Sequence, residues 1–235
     1  MKLRLNVYDY MIIILVIVAI AGLYVSGIGH LPQIIIVPVI AAILDYVIKY
    51  YRFKSKQFPK TAVISGLLIA MVIEATLLPL IAAVFIAILS KHIIAWKASN
   101  IFNPAALAIV TTGFLGAGAS WWAASTPLVL LGVFIIYKIR KITLTVTFLT
   151  AYFVLSGIMS AQFSLLQLYN LTVLFFAFFM LIEPKTSAHT KKSMVVFGTA
   201  TAILASLILS LPTDFLLSAL LVMNIFTPFL DRKLK

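Results

Sequence analysis

Long apolar stretches alternate along the chain with short polar segments that hold most of its charge. Of the 235 residues, 63% are hydrophobic and 10% are charged. An apolar helix needs about 20 residues to cross the hydrocarbon core of a bilayer. The pattern therefore predicts an all-α, polytopic membrane protein of ten spans with minimal loops. The predicted spans are residues 8–26, 32–50, 61–75, 77–96, 101–118, 126–139, 142–160, 164–183, 193–211 and 214–230.

Several predicted spans are short for a full crossing. As a helix, residues 61–75 reach only about 22 Å. Short or proline-interrupted segments are typical of helices that are broken near the membrane midplane, where they line a site. Asn103 and Pro104 fit a helix start, because proline is tolerated in the first turn. One interpretation is that the unpaired backbone N–H groups at this helix start face an anion or a dipolar ring. The alternative is a plain helix start at the membrane interface.

The basic residues predict the orientation of the spans. Short cytoplasmic loops retain lysine and arginine because these residues are translocated unfavourably. Neighbouring basic clusters are separated by enough apolar sequence for an out-and-back hairpin, which places every cluster on one side. We therefore expect a multi-pass protein of the plasma membrane with both termini in the cytoplasm. The 18 lysines and arginines lie at 2–4, 49–60, 91–97, 138–141, 185–192 and 232–235.

Composition narrows the kinds of partner and cofactor. The net charge of +12 is explained by the one-sided loops, so the lipid bilayer is the expected partner and nucleic acid is not. The chain has no cysteine, which excludes disulfides and a self-ligated iron–sulfur cluster. Its three histidines are dispersed and lack the spacing of metal ligands, so no metal site is expected.

A faint internal repeat predicts one integral membrane domain, residues 1–235, built from two halves. The halves are about 1–118 and about 126–235. The stretch Met-Val-Ile-Glu at 71–74 recurs as Met-Leu-Ile-Glu at 180–183, and Asn-Ile-Phe-Asn-Pro at 100–104 recurs as Asn-Ile-Phe-Thr-Pro at 224–228. Five spans in each half is an odd number, so the halves must be inverted relative to each other, an architecture that is typical of midplane sites.

Two of the six acidic residues are candidates for an ion pathway. Asp45 lies inside the second span, where an acid is costly and often functional. The alternative is an i,i+4 ion pair with Lys49 that reaches the headgroups. Glu74 lies at the outer end of a short span, before Pro79, and is the stronger candidate.

The order of several motifs indicates a family. Asn-Ile-Phe-Asn-Pro-Ala at 100–105 is followed by Glu-Pro-Lys-Thr-Ser-Ala at 183–188, Phe-Gly at 197–198 and Met-Asn-Ile-Phe-Thr-Pro-Phe-Leu-Asp at 223–231. From about residue 60 to 231, the sequence resembles the family of membrane subunits that includes NqrB of the sodium-pumping NADH:quinone oxidoreductase and RnfD of the Rnf electron-transport complex. The resemblance implies a fold related to urea channels, with ten spans in two inverted repeats.

The resemblance also implies flavin cofactors, FMN and in some cases riboflavin. Two groups of residues would line the flavin region: Phe102, Asn103 and Pro104 in the first half, and Glu183, Thr186 and Ser187 in the second. Family members attach FMN to a threonine, and Thr126 is the positional counterpart here. The family's serine three places earlier is Ala123 in this chain, and the upstream acid is missing. Attachment requires an exposed hydroxyl on the outer face, where we expect Thr126 to lie.

The function implied by the resemblance is that of a flavin-binding subunit of an ion-translocating oxidoreductase. It would pass electrons through the membrane, coupled to Na⁺ or H⁺ movement, together with other redox and membrane subunits. The alternative is a channel or transporter for a small solute or ion on the same scaffold, because fold does not fix function. A third reading is a purely structural assembly subunit.

Overall fold

A computed structural model describes residues 5–96, 99–160, 169–208 and 213–234. Within these ranges the fold is all-α, as predicted, apart from one short hairpin of strands β1 (Ala95–Trp96) and β2 (Ser99–Asn100) between the fourth and fifth helices. The helices are α1 (Val7–Ser26), α2 (Leu31–Phe53), α3 (Lys60–Val72), α4 (Leu77–Ile93), α5 (Pro104–Phe114), α6 (Gly132–Lys138), α7 (Ile142–Met159), α8 (Leu171–Phe175), α9 (Lys191–Leu207) and α10 (Phe215–Lys233). Helix α8 continues as a π-helix over Phe176–Met180, and 3₁₀ turns over Trp122–Ser125 and Pro127–Leu131 precede α6.

The helices confirm a polytopic membrane protein that contains short helices. Among the described residues, four segments are long and apolar enough to cross a membrane: α1, Ile28–Phe53, α7 and α10. Others are apolar but shorter, among them α3 with 13 residues and α5 with 11. At 1.5 Å per residue, α3 is only about 20 Å long. The start of the predicted span at 164–183 lies partly outside the described residues.

Side-chain contacts gather the basic clusters at one end of the helix bundle, which we call the basic end. Lys60 at the start of α3 forms an ion pair of 2.6 Å with Asp9 at the start of α1. Arg52 at the end of α2 donates to the backbone oxygen of His92 at the end of α4, at 2.9 Å. Lys185 lines the same cavity as Arg52, and Lys141 donates to the Ser187 oxygen in the loop that follows Lys185. That all clusters face one side of a membrane stays a prediction. Lys2, Arg4, Lys97 and Lys235 lie outside the described part of the chain.

The opposite end of the bundle explains how α3 can stop after 13 residues. The last carbonyl groups of a helix have no partner within it, and in a membrane they must be satisfied by other groups. The Ala70 oxygen accepts hydrogen bonds from Gln33 Nε2 and Trp122 Nε1, both at 2.8 Å. The Val72 oxygen accepts from the backbone N–H groups of Ser120 and Trp121 at 2.8 and 3.0 Å.

The two recurring motifs behave differently in the fold. The stretch at 71–74 spans the end of α3 at the opposite end of the bundle, whereas the stretch at 180–183 starts at the last residue of the π-helix, at the basic end. This placement agrees with inverted halves, a division that stays a prediction. The stretches at 100–104 and 224–228 both lie at the basic end, one before α5 and the other within the last turns of α10. Inverted halves would place these two stretches at opposite ends of the bundle, so the second recurrence does not support the prediction of inverted halves.

Candidate functional site

The start of α5 is fixed by one asparagine. Asn103 caps the helix because its Oδ1 accepts a hydrogen bond from the Ala106 backbone N–H at 3.0 Å. Pro104 occupies the first helical position, where its missing N–H is not needed. The Asn103 Nδ2 donates to the Met180 oxygen at 3.0 Å, which satisfies the last carbonyl of the π-helix. Asn103 is buried, so α5 begins inside the protein rather than in solvent.

The loop 183–190 is held against α5 and α10 by buried polar groups. Asn224 Oδ1 accepts from the Asn103 backbone N–H at 2.9 Å, and Asn224 Nδ2 donates to the Thr186 oxygen at 3.1 Å. Thr227 Oγ1 donates to the same Thr186 oxygen at 2.8 Å. We call Asn103, Thr186, Asn224 and Thr227 the polar junction. All four are buried, and together they join the two stretches that the resemblance assigned to flavin.

Three of the predicted flavin residues, Asn103, Thr186 and Ser187, therefore take part in the hydrogen bonds that hold this loop. Thr186 and Ser187 are at most 1% exposed. The Ser187 hydroxyl donates to the Glu183 oxygen at 2.8 Å, and the Thr186 hydroxyl donates to Glu183 Oε2 at 3.4 Å. Phe102 is half-buried and Pro104 is buried. The residue that these contacts position is Glu183.

Glu183 lines two cavities at the basic end, and Thr61 lines both of them as well. One cavity is mostly apolar and includes Leu68, Phe179 and Ile182 in its wall. The other, which we call the basic cavity, has a volume of about 370 Å³. Charged side chains make up most of the wall of the basic cavity: Asp45, Lys49, Arg52, Lys91, Glu183 and Lys185.

Asp45 forms the expected ion pair and is also buried. Its carboxylate lies 2.6 Å from Lys49 Nζ, so the predicted i,i+4 pair is confirmed. The side chain is nevertheless 1% exposed, and its other oxygen lies 2.9 Å from His92 Nε2. Asp45 and both of its partners line the basic cavity. A role in an ion pathway stays a prediction.

Glu74 and Thr126 are not brought together with the polar junction. Glu74 is exposed just beyond α3, at the opposite end. Thr126 follows the 3₁₀ turn that Ser26 and Ser125 bond to, also at the opposite end, but it is only 4% exposed. Its Oγ1 accepts a hydrogen bond from the Leu128 backbone N–H at 3.3 Å. The expectation of an exposed hydroxyl is wrong, because this turn packs against α1; covalent FMN at Thr126 stays a prediction.

A buried lysine holds the other side of the loop 183–190. Lys141 lies between α6 and α7 and is 3% exposed. Its ammonium donates to the Ser187 oxygen at 3.3 Å and to the Ala188 oxygen. Burial lowers the pKa of Lys141 from 10.5 to about 8, against the opposing effect of the Asp231 charge. The lysine thus binds the loop through neutral carbonyl groups rather than through a directly bonded carboxylate.

This arrangement predicts a pH dependence of stability. Between pH 8 and 10.5 the unfolded chain keeps the Lys141 proton that the folded chain has lost, so stability should rise with pH in this window. The measurement is the melting temperature of the detergent-solubilised protein and of a Lys141→Met variant across the window. The melting temperature of the wild type minus that of the Lys141→Met variant should increase as pH rises.

The other titratable groups are the same in wild type and in Lys141→Met, so their contributions cancel in the difference between the two melting temperatures. Lys138→Met serves as the control, because Lys138 is exposed at the end of α6, and its difference from wild type should stay flat over the same pH range. A flat difference for Lys141→Met as well would show that the fold does not disfavour the charged form of Lys141.

Sequence reasoning missed several residues of this region. Asn224 and Thr227 were visible only as part of a recurring motif, and that recurrence was the one signal that linked them to Asn103. In the sequence, Lys91 and Lys141 appear only as ordinary members of the basic clusters at 91–97 and 138–141. Nothing in the sequence distinguishes these two lysines, one half-buried and one buried, from exposed neighbours such as Lys138, since burial depends on tertiary packing.

Comparison with known proteins agrees with this architecture. No match was found among curated proteins. The model of the NQR2, RnfD, RnfE family matches the chain over residues 6–115 and 110–235, which together cover almost its whole length. The chain therefore belongs to the NQR2, RnfD, RnfE family, the membrane subunits of ion-translocating electron-transport complexes.

Proposed function

We propose that the chain is a flavin-binding subunit that carries electrons through the membrane, with FMN or riboflavin as its cofactor. The observation that carries the proposal is the polar junction. It is built from Asn103 and Thr186, which the family resemblance associates with flavin, and it positions Glu183 at the wall of the basic cavity. Family membership supplies the setting of electron and ion transport.

The residues of the basic cavity fit a flavin. Its volume of about 370 Å³ lies within the range of roughly 300–1,000 Å³ that is usual for cofactor pockets. Thr61, Asn100 and Lys91 offer hydrogen-bond donors for the carbonyl oxygens and ring nitrogens of the cofactor, and Phe53 offers apolar surface. A bound flavin supplies the capacity to accept and release electrons, and nearby cations favour its reduced form.

The remaining parts of the proposal concern the surroundings of the subunit. Because the described basic residues gather at one end, we place that end in the cytoplasm of a cell whose plasma membrane holds the protein. The chain has no cysteine to hold an iron–sulfur cluster, so other subunits would deliver and remove the electrons. Asp45 and Glu74 remain the candidates for the coupled movement of Na⁺ or H⁺.

An absorbance titration tests flavin binding. Detergent-purified protein should carry a flavin spectrum, or acquire one saturably when FMN or riboflavin is added. A Lys91→Met variant should bind flavin more weakly, because it removes a hydrogen-bond donor and a positive charge from the cavity wall. Lys56→Met is the matched control outside that wall, and its flavin binding should equal that of the wild type.

Other outcomes separate the alternatives. Protein that stays colourless in saturating flavin, but supports solute flux in liposomes, would replace the proposal with the channel. The intact mass of protein coexpressed with a flavin transferase tests Thr126. A mass increase lost in Thr126→Ala would establish covalent attachment, and would require the Thr126–Leu128 turn to open.

A further inference from the structure

The basic cavity carries more positive than negative charge. Four cations, Lys49, Arg52, Lys91 and Lys185, face two carboxylates, those of Asp45 and Glu183. His92 also lines the cavity and is counted as neutral. Two positive charges are therefore in excess within a confined space. Such an excess favours an anionic occupant, because like charges gathered around a cleft raise its positive potential and attract a compensating anion.

The carboxylate of Asp45 is already engaged with its neighbours. One oxygen lies 2.6 Å from Lys49 Nζ and the other lies 2.9 Å from His92 Nε2. These contacts account for one cation of the cavity and one of its two acids. The wall also contains the cations Arg52, Lys91 and Lys185, and among the described residues its other acid is Glu183.

Arg52 and Lys91 are held in place by contacts that leave donors for a ligand. Arg52 uses Nη1 for the His92 oxygen at 2.9 Å, and Lys91 Nζ donates to the Thr61 oxygen at 3.0 Å. A guanidinium has five N–H groups and an ammonium has three. Among the described residues, each of these two groups therefore keeps N–H donors for an anion. Their backbone contacts restrict the side chains in advance, which lowers the entropy cost of binding.

The size and donor set of the cavity favour a tetrahedral oxyanion over a halide. A volume of about 370 Å³ is far larger than a single ion requires, and leaves room for the group that bears the anion. The fork of an arginine matches the paired oxygens of a phosphate, and lysines act as point charges for the same group. A phosphate monoester carries roughly −1.5 to −2 charges at pH 7, close to the excess in the wall.

We propose that the basic cavity is a binding site for a phosphate group, taken as the phosphomonoester of a small ligand or of a lipid headgroup. Arg52, Lys91 and Lys185 contact its oxygens. The phosphate site rests on the proposed function in one respect only. If a flavin is bound in the basic cavity, its phosphorylated form, FMN, is preferred over riboflavin. The site for phosphate itself can be tested without any flavin.

Isothermal titration of the detergent-solubilised chain with inorganic phosphate tests the site, in a buffer with excess chloride. The wild type should bind phosphate saturably. Arg52→Gln and Lys185→Gln should each weaken binding roughly tenfold, the usual effect of losing a charge-assisted contact. Both residues are exposed, so size-exclusion profiles should remain those of the wild type. Lys56→Gln changes a nearby exposed lysine outside the cavity wall and should bind phosphate as the wild type does.

Two results would overturn the proposal. One is the absence of saturable phosphate binding, as expected if the excess charge instead meets an acidic partner protein. The other is an equal loss of binding in Lys56→Gln and Arg52→Gln, which indicates general surface attraction. Phosphate binding that persists in a protein that takes up no flavin would keep this site while removing the proposed flavin function.

The source of the phosphate group is decided by competition. The titration is repeated in nanodiscs of phosphatidylcholine with and without phosphatidate, whose headgroup is a phosphomonoester. Weaker binding of inorganic phosphate in the presence of phosphatidate, lost in Arg52→Gln, supports a lipid occupant. Unchanged binding together with tighter binding of FMN than of riboflavin supports a soluble one.

Discussion

The Gly198→Ala substitution is expected to lower the thermal stability of the solubilised protein, although the same change inside a helix usually raises it. Alanine has a higher helix propensity than glycine by about 1 kcal/mol. Gly198, however, lies where α9 crosses α7. A Cβ atom there would lie 2.4 Å from Thr147 Oγ1, 2.8 Å from the Leu144 oxygen and 3.0 Å from the Phe148 nitrogen.

Two of these three neighbours are backbone atoms, so the clash cannot be relieved by turning a side chain. The helices must separate, which removes packing along their whole contact. In membranes this packing is a principal source of helix association, because lipid tails offer no hydrophobic drive between helices. Overpacking of this kind costs roughly 1–3 kcal/mol. Gly198→Leu should therefore prevent recovery of folded protein.

Gly113→Ala is the matched control. Gly113 is also helical, at the end of α5, but a Cβ there meets its nearest atom, Thr213 Cγ2, at 3.5 Å, an ordinary contact. Its melting temperature should be equal to or above that of the wild type, whereas that of Gly198→Ala should fall. If both variants melt like the wild type, α7 and α9 do not approach as closely as the structure indicates.

The sequence predicted the helical architecture because membrane insertion imposes local rules. A membrane span needs a continuous stretch of apolar residues, and short cytoplasmic loops retain lysine and arginine. Hydrophobicity and basic charge can therefore both be read along the sequence. The pairing of Asp45 with Lys49 was predictable for the same reason, since the two lie four residues apart on one helix. Helix ends such as that of α3, which needs Gln33 and Trp122, were placed less accurately.

The candidate site could be predicted only in part, because its contacts join distant parts of the chain. Asn103 and Asn224 are 121 residues apart, and no local pattern shows that they meet. The motif order led to the prediction that Asn103, Glu183 and Thr186 line a flavin site, but it did not show that Asn103 and Thr186 hold a loop in place. Burial of Thr126 is likewise a tertiary effect, produced by the packing of its turn against α1.

Asn224→Leu is expected to destabilise the protein more than any other single change in the polar junction. Leucine has the same branched side-chain skeleton as asparagine but cannot accept from the Asn103 N–H or donate to the Thr186 oxygen. Asn103 N–H would then be buried without a partner among the described residues, at a cost of about 1–3 kcal/mol. The melting temperature in mild detergent should fall, and the start of α5 and the loop 183–190 should exchange amide hydrogens faster.

A double-mutant cycle with Thr227→Val tests whether the junction acts as one unit. In the wild type the Thr186 oxygen has two donors, Asn224 Nδ2 and Thr227 Oγ1. Either variant alone leaves one donor, so Thr227→Val by itself should cost little. In the Asn224→Leu background the same change removes the last donor from a buried carbonyl. The combined loss should therefore exceed the sum of the single losses, by about 0.5–3 kcal/mol.

Thr111→Val provides the control for the threonine change. Among the described residues, the Thr111 hydroxyl bonds only to the Leu107 oxygen within its own helix, at 2.7 Å, so its loss should be additive with Asn224→Leu. Additive losses for Thr227→Val as well would mean that Thr186 is not the shared acceptor. Coupling confined to Thr227 would show that α10 holds the loop through the Thr186 carbonyl, and that α10 thereby helps to position Glu183.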